Sequence, residues 1–222
     1  MSFIQAGELR KRFLTEGLFY KLDVEGMEYE SRALAKITRR GAVCEEADAV
    51  VIMVNPGSCE PADASHVYPL YQEDLFALPF VKVKEDMTQY QLMRLMERME
   101  WNMMYIINLS DLRAGNINEY RRMRERLNRA GQGGHSIFSE GRGETIHQFV
   151  ADRTRVIAAW GTNEFIREDA LKAYNYLTNF FTVEGLPHQD FPFYRHPNPM
   201  LKDRCIQWLD DMGEMLGDQV KV

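Results

Sequence analysis

Apolar and polar positions along the chain follow two different periods, which distinguish strands from helices. Short, mostly apolar runs rich in β-branched residues predict buried strands over 47–54, 103–109 and 155–160, with a weaker candidate over 190–194. Helical spacing of apolar residues predicts helices over 87–101, 117–128, 163–179 and 200–216. Strands that alternate with helices predict an α/β fold, with a mostly parallel sheet covered on both faces.

The first 46 residues show a different pattern. A helix is predicted over 4–15, followed by a hairpin whose first strand covers 18–24 and whose turn is Glu25-Gly26. We interpret residues 1–46 as an addition packed on a domain of residues 47–222, the two forming one compact unit. The glycine-rich segment 131–143 is expected to be an exposed, flexible loop.

Composition and charge exclude several classes of protein. Among 222 residues, 27 Lys and Arg stand against 33 Asp and Glu, and the net charge of -6 is not typical of a nucleic-acid binder. Cys44, Cys59 and Cys205 are too few and too far apart for a disulfide framework or a CxxC metal pair. No apolar run approaches the roughly 20 residues that cross a bilayer. We therefore expect a cytoplasmic protein with no membrane partner, no metal and no cofactor.

Polar residues follow each predicted strand. Asn55 and Gly57 follow the first strand, Asn108 ends the second, Gly161 follows the third, and His196 follows the weaker candidate. In open parallel sheets, ligands bind beyond the carboxyl ends of the strands. Each of these residues, taken alone, is typical of a turn or a helix cap. Taken together, they predict one crevice lined by two asparagines, a histidine and backbone amides.

Four of these segments resemble the uracil-DNA glycosylase superfamily, and more closely an uncharacterised bacterial family of that fold with NPS-type, VNL and AAWG motifs. VNPGS at 54–58 is similar to the INPG motif of the mismatch-specific branch, and IINLSDLRAG at 106–115 to LLLNxxLTVRAG. VIAAWG at 156–161 is similar to LLWG, and HPNPMLKDR at 196–204 to HPSPLxxxR. The motifs keep the family order, and everything before residue 51 lies outside the match.

The resemblance implies a three-layer α/β/α fold with a short, mostly parallel, four-stranded sheet. It implies a hydrolase that cleaves the N-glycosidic bond of a modified or mismatched base in DNA, with Asn55 orienting water and His196 stabilising the departing base anion. The uracil-specific branch has an aspartate at the position of Asn55 and an aromatic residue at the position of Gly57. With asparagine and glycine there, we expect base removal to be slow or to accept a broad range of bases. Four acidic residues close in sequence are candidates for the missing carboxylate: Asp63, Glu73, Asp74 and Asp111.

The same resemblance assigns the contacts to substrate. Asn108 would read the base edge through its amide donor and acceptor. The full substrate-binding set comprises Pro56, Gly57, Ser58, Asn108, Gly161 and Asn198. Phosphates would be bound by Arg113, Arg195 and Arg204. Met200 or Leu201 would be inserted into the duplex during base flipping, unless both begin the packed face of the last helix.

Two other functions fit the same residues. One is a non-catalytic module that binds a nucleobase, a nucleotide or single-stranded nucleic acid. The other is a hydrolase of small nucleosides, which the acidic composition favours because a small substrate needs no basic surface. The partner is thus DNA or a small molecule that contains a nucleobase, and no oligomeric state is predicted.

Overall fold

One mixed β-sheet forms the centre of the protein. The computed structural model describes residues 3–72, 74–139 and 142–217, and within them the sheet has eight strands. In chain order the strands are β1 (Phe13–Val24), β2 (Met27–Arg39), β3 (Ala49–Met53), β4 (Glu60–Pro61), β5 (Val81–Lys84), β6 (Met103–Asn108), β7 (Arg155–Ala158) and β8 (Val183–Glu184).

The spatial order of the strands is β4-β5-β1-β2-β6-β3-β7-β8. Four neighbouring strands, β6, β3, β7 and β8, pair in parallel. The other four extend the sheet beyond β6 by antiparallel pairing, in the order β2, β1, β5 and β4. The α/β class is confirmed, but the sheet is not short and four-stranded as expected. The N-terminal hairpin and the β4–β5 pair account for the four further strands, because β2 pairs with β6 and β5 pairs with β1.

The predicted hairpin is confirmed. Glu25 and Gly26 have φ angles of 55° and 78°, the left-handed conformation that a two-residue hairpin turn of type I′ requires. The hairpin is hydrogen-bonded into the main sheet, with Ala35 of β2 opposite Ile106 of β6. The division at residue 46 stays a prediction, but the chain before it forms part of the central layer.

Helices cover both faces of the sheet. They are α1 (Ala6–Arg12), α2 (Met87–Met99), α3 (Ile117–Arg129), α4 (Arg167–Thr178) and α5 (Lys202–Leu216). Buried side chains of α1, α2 and α5 pack on one face, and those of α3 and α4 pack on the other. The predicted helices are present with ends shifted by a few residues. The first is shorter than expected because Phe13 already begins β1.

The middle of the sheet is buried on both sides. All five residues of β3 are buried, and they alternate between the two cores: Val50 and Ile52 face one, and Val51 and Met53 face the other. A continuous apolar run is what a strand covered by helices on both faces needs. The three strong strand predictions are confirmed for this reason.

Two local predictions are wrong. Residues 190–194 do not form a strand, because Pro192 has no N–H to donate and a turn joins the Phe193 N–H to the carbonyl of Asp190 at 3.1 Å. The short β8 occupies the fourth parallel position instead. The glycine-rich segment is not a uniformly exposed loop, since His135 and Ile137 are buried against the α3 and α4 side. None of the helices in the described ranges has the length and apolar character to cross a bilayer.

Candidate functional site

The candidate site lies at the carboxyl ends of the parallel strands. β3 and β6 run parallel, with Met53 opposite Asn108, so the residues that follow both strands meet at one edge of the sheet. The Gly161 N–H donates to the carbonyl of Tyr194 at 2.9 Å, which holds the segment leading to His196 beside the end of β7. Sheet topology thus brings together segments that are far apart in the sequence.

A cavity of about 80 Å³, called here the small cavity, opens at this edge. Its polar groups come from four elements: β2, which contributes Arg32, the segment after β3, the start of α2 and the segment before α5. Asn55, Asp86 and His196 supply an amide, a carboxylate and an imidazole. The complete lining is Arg32, Met53, Val54, Asn55, Pro56, Gly57, Asp86, Thr88, Gln89, Ile106 and His196.

His196 is poised as a neutral hydrogen-bond donor. Burial lowers its pKa, although the N–H of Asn198 and the Asp86 carboxylate act in the opposite direction. Its Nδ1 accepts the backbone N–H of Asn198 at 3.1 Å, so the proton of the neutral ring resides on Nε2. A neutral imidazole with a fixed N–H can donate to an oxygen that gains negative charge.

Asn55 lines the small cavity and also forms hydrogen bonds that hold two loops together. Its amide Nδ2 donates to the carbonyl of Ala114 at 3.0 Å and, more weakly, to that of Leu112 at 3.5 Å. These bonds tie the segment after β3 to the segment after β6. The amide nitrogen is therefore occupied, and the carbonyl Oδ1 is the atom of Asn55 that can orient water or a ligand.

Asp86 is a carboxylate that the sequence reasoning missed. Its Oδ1 caps α2 by accepting the backbone N–H groups of Thr88 and Gln89 at 2.9 Å and 3.0 Å. Gln89 completes a capping box by accepting the N–H of Asp86. Oδ2 accepts no hydrogen bond from a described residue, so one oxygen can act in the cavity. The spacing of Asp86 and Gln89 before an apolar helix was a visible signal, but it predicts a helix start and not a site.

Gly57 shapes the wall next to Asp86. Its φ of 64° lies in the left-handed region, which is unfavourable for other residues. A Cβ atom at this position would lie 3.3 Å from Asp86 Oδ2. A larger residue at position 57 would therefore both strain the turn and crowd the carboxylate.

Asn108 lies beside the small cavity without lining it. On β6 its side chain shares a face with that of Ile106, which does line the cavity, and its strand partner Met53 lines it too. Asn108 is fully buried, yet neither atom of its amide has a hydrogen-bond partner among the described residues. Buried amides normally form such bonds, so this one has binding capacity that the fold leaves unused.

A second depression adjoins the first and is called here the groove. It has a volume of about 480 Å³ and shares His196 with the small cavity. Four predicted residues lie along it: Gly161, Arg195, His196 and Arg204. Arg195 pairs with Asp211 at 3.3 Å, whereas Arg204 forms no ion pair with any described residue.

Met200 and Leu201 project at the turn between the two groove arginines. Met200 is 95% exposed and Leu201 is 61% exposed, so neither packs into the face that α5 turns to the core. The packed interpretation of these two residues is therefore wrong. Met200 also has a φ of 52°, which fixes the turn in a conformation that most residues avoid.

Three predicted contacts lie apart from both depressions. Arg113 is held by Glu30, by the Tyr68 hydroxyl at 2.8 Å and by the Cys59 carbonyl at 2.6 Å, and it lines neither depression. Ser58 is exposed and lines neither one. Asn198 acts through its backbone N–H on His196, and its side-chain Oδ1 accepts the Cys205 thiol at 3.4 Å.

The carboxylates proposed from sequence are placed elsewhere. Asp111 is buried and bonded to the Tyr20 hydroxyl at 2.8 Å and to Arg142 at 2.9 Å. Asp63 accepts from the Ser65 N–H and hydroxyl, and Asp74 accepts from the N–H of Ala77. Glu73 lies outside the described residues. The carboxylate in the cavity is Asp86.

Comparison with known proteins adds little. No family model matches the chain, and no curated protein matches it. Among solved structures, the chain is similar to a double mutant of the esterase rPPE, with 11% sequence identity and a TM-score of 0.28. The similarity covers 94% of this chain and 55% of the esterase, so the chain spans about half the length of that protein.

Proposed function

We propose that the small cavity binds a nucleobase, and that the protein is a glycosylase-like hydrolase of the N-glycosidic bond of a modified or mismatched base in DNA. The observation that carries this proposal is the convergence of Asp86, Asn55 and a neutral His196 on one cavity. The parallel strands β6-β3-β7-β8 and the four sequence motifs support a fold like that of the uracil-DNA glycosylases.

The groups in the cavity match the charges that develop in this reaction. As the bond between the sugar carbon and the base nitrogen breaks, the base takes the electron pair and the sugar becomes cationic. His196 Nε2–H donates to an oxygen of the departing base, and the Asp86 carboxylate stabilises the cationic sugar. Water held by Asn55 Oδ1 attacks the sugar carbon, and its proton passes to Asp86.

The groove supports a nucleic-acid substrate. Arg195 and Arg204 can contact phosphates, and the exposed Met200 and Leu201 can occupy the space that an extruded base leaves. The acidic excess of the whole chain does not prevent this, because these two arginines lie on one local surface. Arg113 is not part of that surface, and we do not assign it to DNA.

The test is base release from oligonucleotides that carry uracil, hypoxanthine or a mismatched thymine, followed as strand scission after alkali. Asp86→Asn is the sharpest variant, because asparagine caps a helix as well as aspartate does and the fold is kept. We expect it to slow release at least 100-fold, and His196→Gln to cost about 100- to 1,000-fold. Asp63→Asn is the matched control, because it changes an exposed carboxylate that accepts, within the described part of the chain, only from Ser65.

One observation favours a non-catalytic alternative. The Asn55 amide is occupied by the Ala114 carbonyl, which leaves this residue less free to handle water than an aspartate would be. A binding module of the same fold would show no release with any lesion, yet would still be stabilised thermally by a nucleobase or oligonucleotide. Base release that Asp86→Asn does not reduce would overturn the catalytic assignment.

A further inference from the structure

Arg32 of β2 stands out among the buried cations of this protein. It lines the small cavity and is only 3% exposed. Its guanidinium forms no ion pair and no hydrogen bond with any described residue, and its Nε is buried without a partner. The residue comes from the N-terminal hairpin, which lies outside every motif in the sequence.

The other buried arginines are satisfied. Arg94 donates to the Ile4 carbonyl at 2.8 Å and to Gln91 at 3.2 Å. Arg124 donates to the Phe165 carbonyl at 3.1 Å and pairs with Asp169 at 2.8 Å. Removal of a guanidinium from water without a partner is costly, and the usual compensation is an anion.

Asp86 does not supply that compensation. It lines the same cavity but forms no ion pair with Arg32, and its Oδ1 is directed to the start of α2. The positive end of the α2 dipole offsets part of the Asp86 charge. Burial raises the pKa of the Asp111 carboxylate, and the charge of Arg32 acts against that rise, but among the described residues no carboxylate lies within ion-pair distance of the Arg32 guanidinium.

We propose that Arg32 forms an oxyanion subsite of the small cavity, and that the natural ligand presents a carboxylate or a phosphate to it. The planar guanidinium presents paired N–H groups that match either oxyanion in a bidentate manner. Asn108, whose amide is unpartnered at the adjacent position of β6, offers a further N–H on the same side. The inference rests on the proposed function only in taking the same cavity as the ligand site, and it does not require bond cleavage.

The two sources of the oxyanion define two kinds of ligand. A carboxylate would belong to an acidic nucleobase that enters base first. A phosphate would belong to a nucleotide that enters phosphate first. Orotate, uridine 5′-monophosphate and inorganic phosphate are the probes that separate these sources, and uracil and uridine are their uncharged counterparts.

Thermal shift and calorimetric titration at constant ionic strength test the subsite. If the ligand supplies a carboxylate, we expect orotate to raise the melting temperature of the wild-type protein more than uracil does. If it supplies a phosphate, we expect inorganic phosphate to raise it, and uridine 5′-monophosphate to raise it more than uridine does. Arg32→Met should weaken binding of that probe at least 10-fold. Arg32→Lys should restore part of it, because lysine keeps the charge but loses the bidentate fork.

The stability of the variants separates a binding role from a structural one. Without ligand, Arg32→Met should melt about 2–4 °C higher than wild type, since an unpaired buried charge is removed. Arg94→Met is the matched control: it removes a satisfied buried arginine, so it should melt lower and keep wild-type binding.

Three results would overturn the subsite: no oxyanion probe acts on the wild type, Arg32→Met binds the probes like wild type, or Arg32→Met melts well below wild type. Base release is scored separately. Binding of an oxyanion probe without base release would contradict the proposed hydrolase activity and support the Arg32 subsite. Base release by a protein that binds no oxyanion probe keeps the hydrolase and excludes the subsite.

Discussion

Arg32 and Arg142 are both arginines withdrawn from solvent, on opposite faces of the same sheet. Arg142 pairs with Asp111 at 2.9 Å and also donates to the Gly134 carbonyl at 2.6 Å. Arg32 has no such partner among the described residues. The fold thus pairs Arg142 with a carboxylate, whereas it places no carboxylate of the described residues within ion-pair distance of Arg32.

The surroundings of the two arginines differ in the same way. Near Arg142, the Tyr20 hydroxyl donates to the same Asp111 oxygen that accepts from Arg142. The Ser110 hydroxyl lies 2.9 Å from His135 Nδ1. We call these five residues the buried polar cluster. Its groups bond to each other and to the Gly134 carbonyl, although Asp111 Oδ1 and Arg142 Nη2 have no hydrogen-bond partner among the described residues. The small cavity differs because its unpartnered groups, Arg32 Nε and the Asn108 amide, line or adjoin an open space that a ligand can enter.

The largest expected effect tests the paired arginine. Arg142→Met should lower the free energy of unfolding by about 3–5 kcal/mol, because it leaves the fully buried Asp111 carboxylate without its cation. Urea unfolding measured by circular dichroism gives this value. A loss below about 1 kcal/mol would show that the buried polar cluster does not depend on the pair.

The next effect concerns acid stability of the same cluster. Burial, assisted by the charge of Arg124, lowers the pKa of His135 from 6.5 to about 4. Between these values the unfolded chain binds a proton that the folded protein does not, so stability falls as pH decreases from 6.5 to 4. The difference corresponds to about 3 kcal/mol at pH 4.

His135→Gln isolates this contribution. Burial raises the pKa of Asp169 to about 6, which acts in the opposite direction, but that carboxylate is present in both proteins. Unfolding should therefore become less sensitive to acid in the variant by about 3 kcal/mol between pH 7 and pH 4. Parallel stability curves for the two proteins would contradict the assignment.

A smaller effect of opposite sign is expected for the unpaired arginine. Arg32→Met should raise the free energy of unfolding by about 1 kcal/mol, since an apolar side chain replaces an unpaired buried charge. The same urea experiment compares it directly with Arg142→Met. Equal destabilisation of both variants would erase the distinction between the two arginines.

The smallest effect on stability is expected at the rim of the groove. Met200→Ser replaces a side chain that is 95% exposed, so the free energy of unfolding should change by no more than about 0.5 kcal/mol. Affinity for duplex DNA with a damaged base, measured by fluorescence anisotropy, should fall. Unchanged affinity would remove Met200 from the proposed DNA surface.

Local patterns in the sequence predicted much of the fold, for physical reasons. The Glu25-Gly26 turn, the apolar run of β3 and the helical spacing after Asp86 are determined by neighbouring residues, and all three are found. β8 was missed because two residues, Val183 and Glu184, carry no detectable period. Pairing of the hairpin with β6 was not predicted, because strand order is a long-range property.

The candidate site was predicted only where a motif contained it. Asn55 and His196 line the small cavity, and Arg195 and Arg204 line the groove. Asp86 and Arg32 were missed because they reach the cavity from α2 and β2, and no local pattern indicates that they approach each other. Arg113 was grouped with the other arginines by motif, but Glu30 on the hairpin pairs with it.

The position of β6 between β2 and β3 has a consequence for the order in which the newly made chain can fold. Both neighbours of β6 precede it in the chain, and each pairs with β6 but not with the other. During synthesis the hairpin can form early from local contacts, but it cannot join β3 until residues 103–108 have left the ribosome. Arg32 is made before β6, whereas His196, which completes the cavity around it, is made after β6.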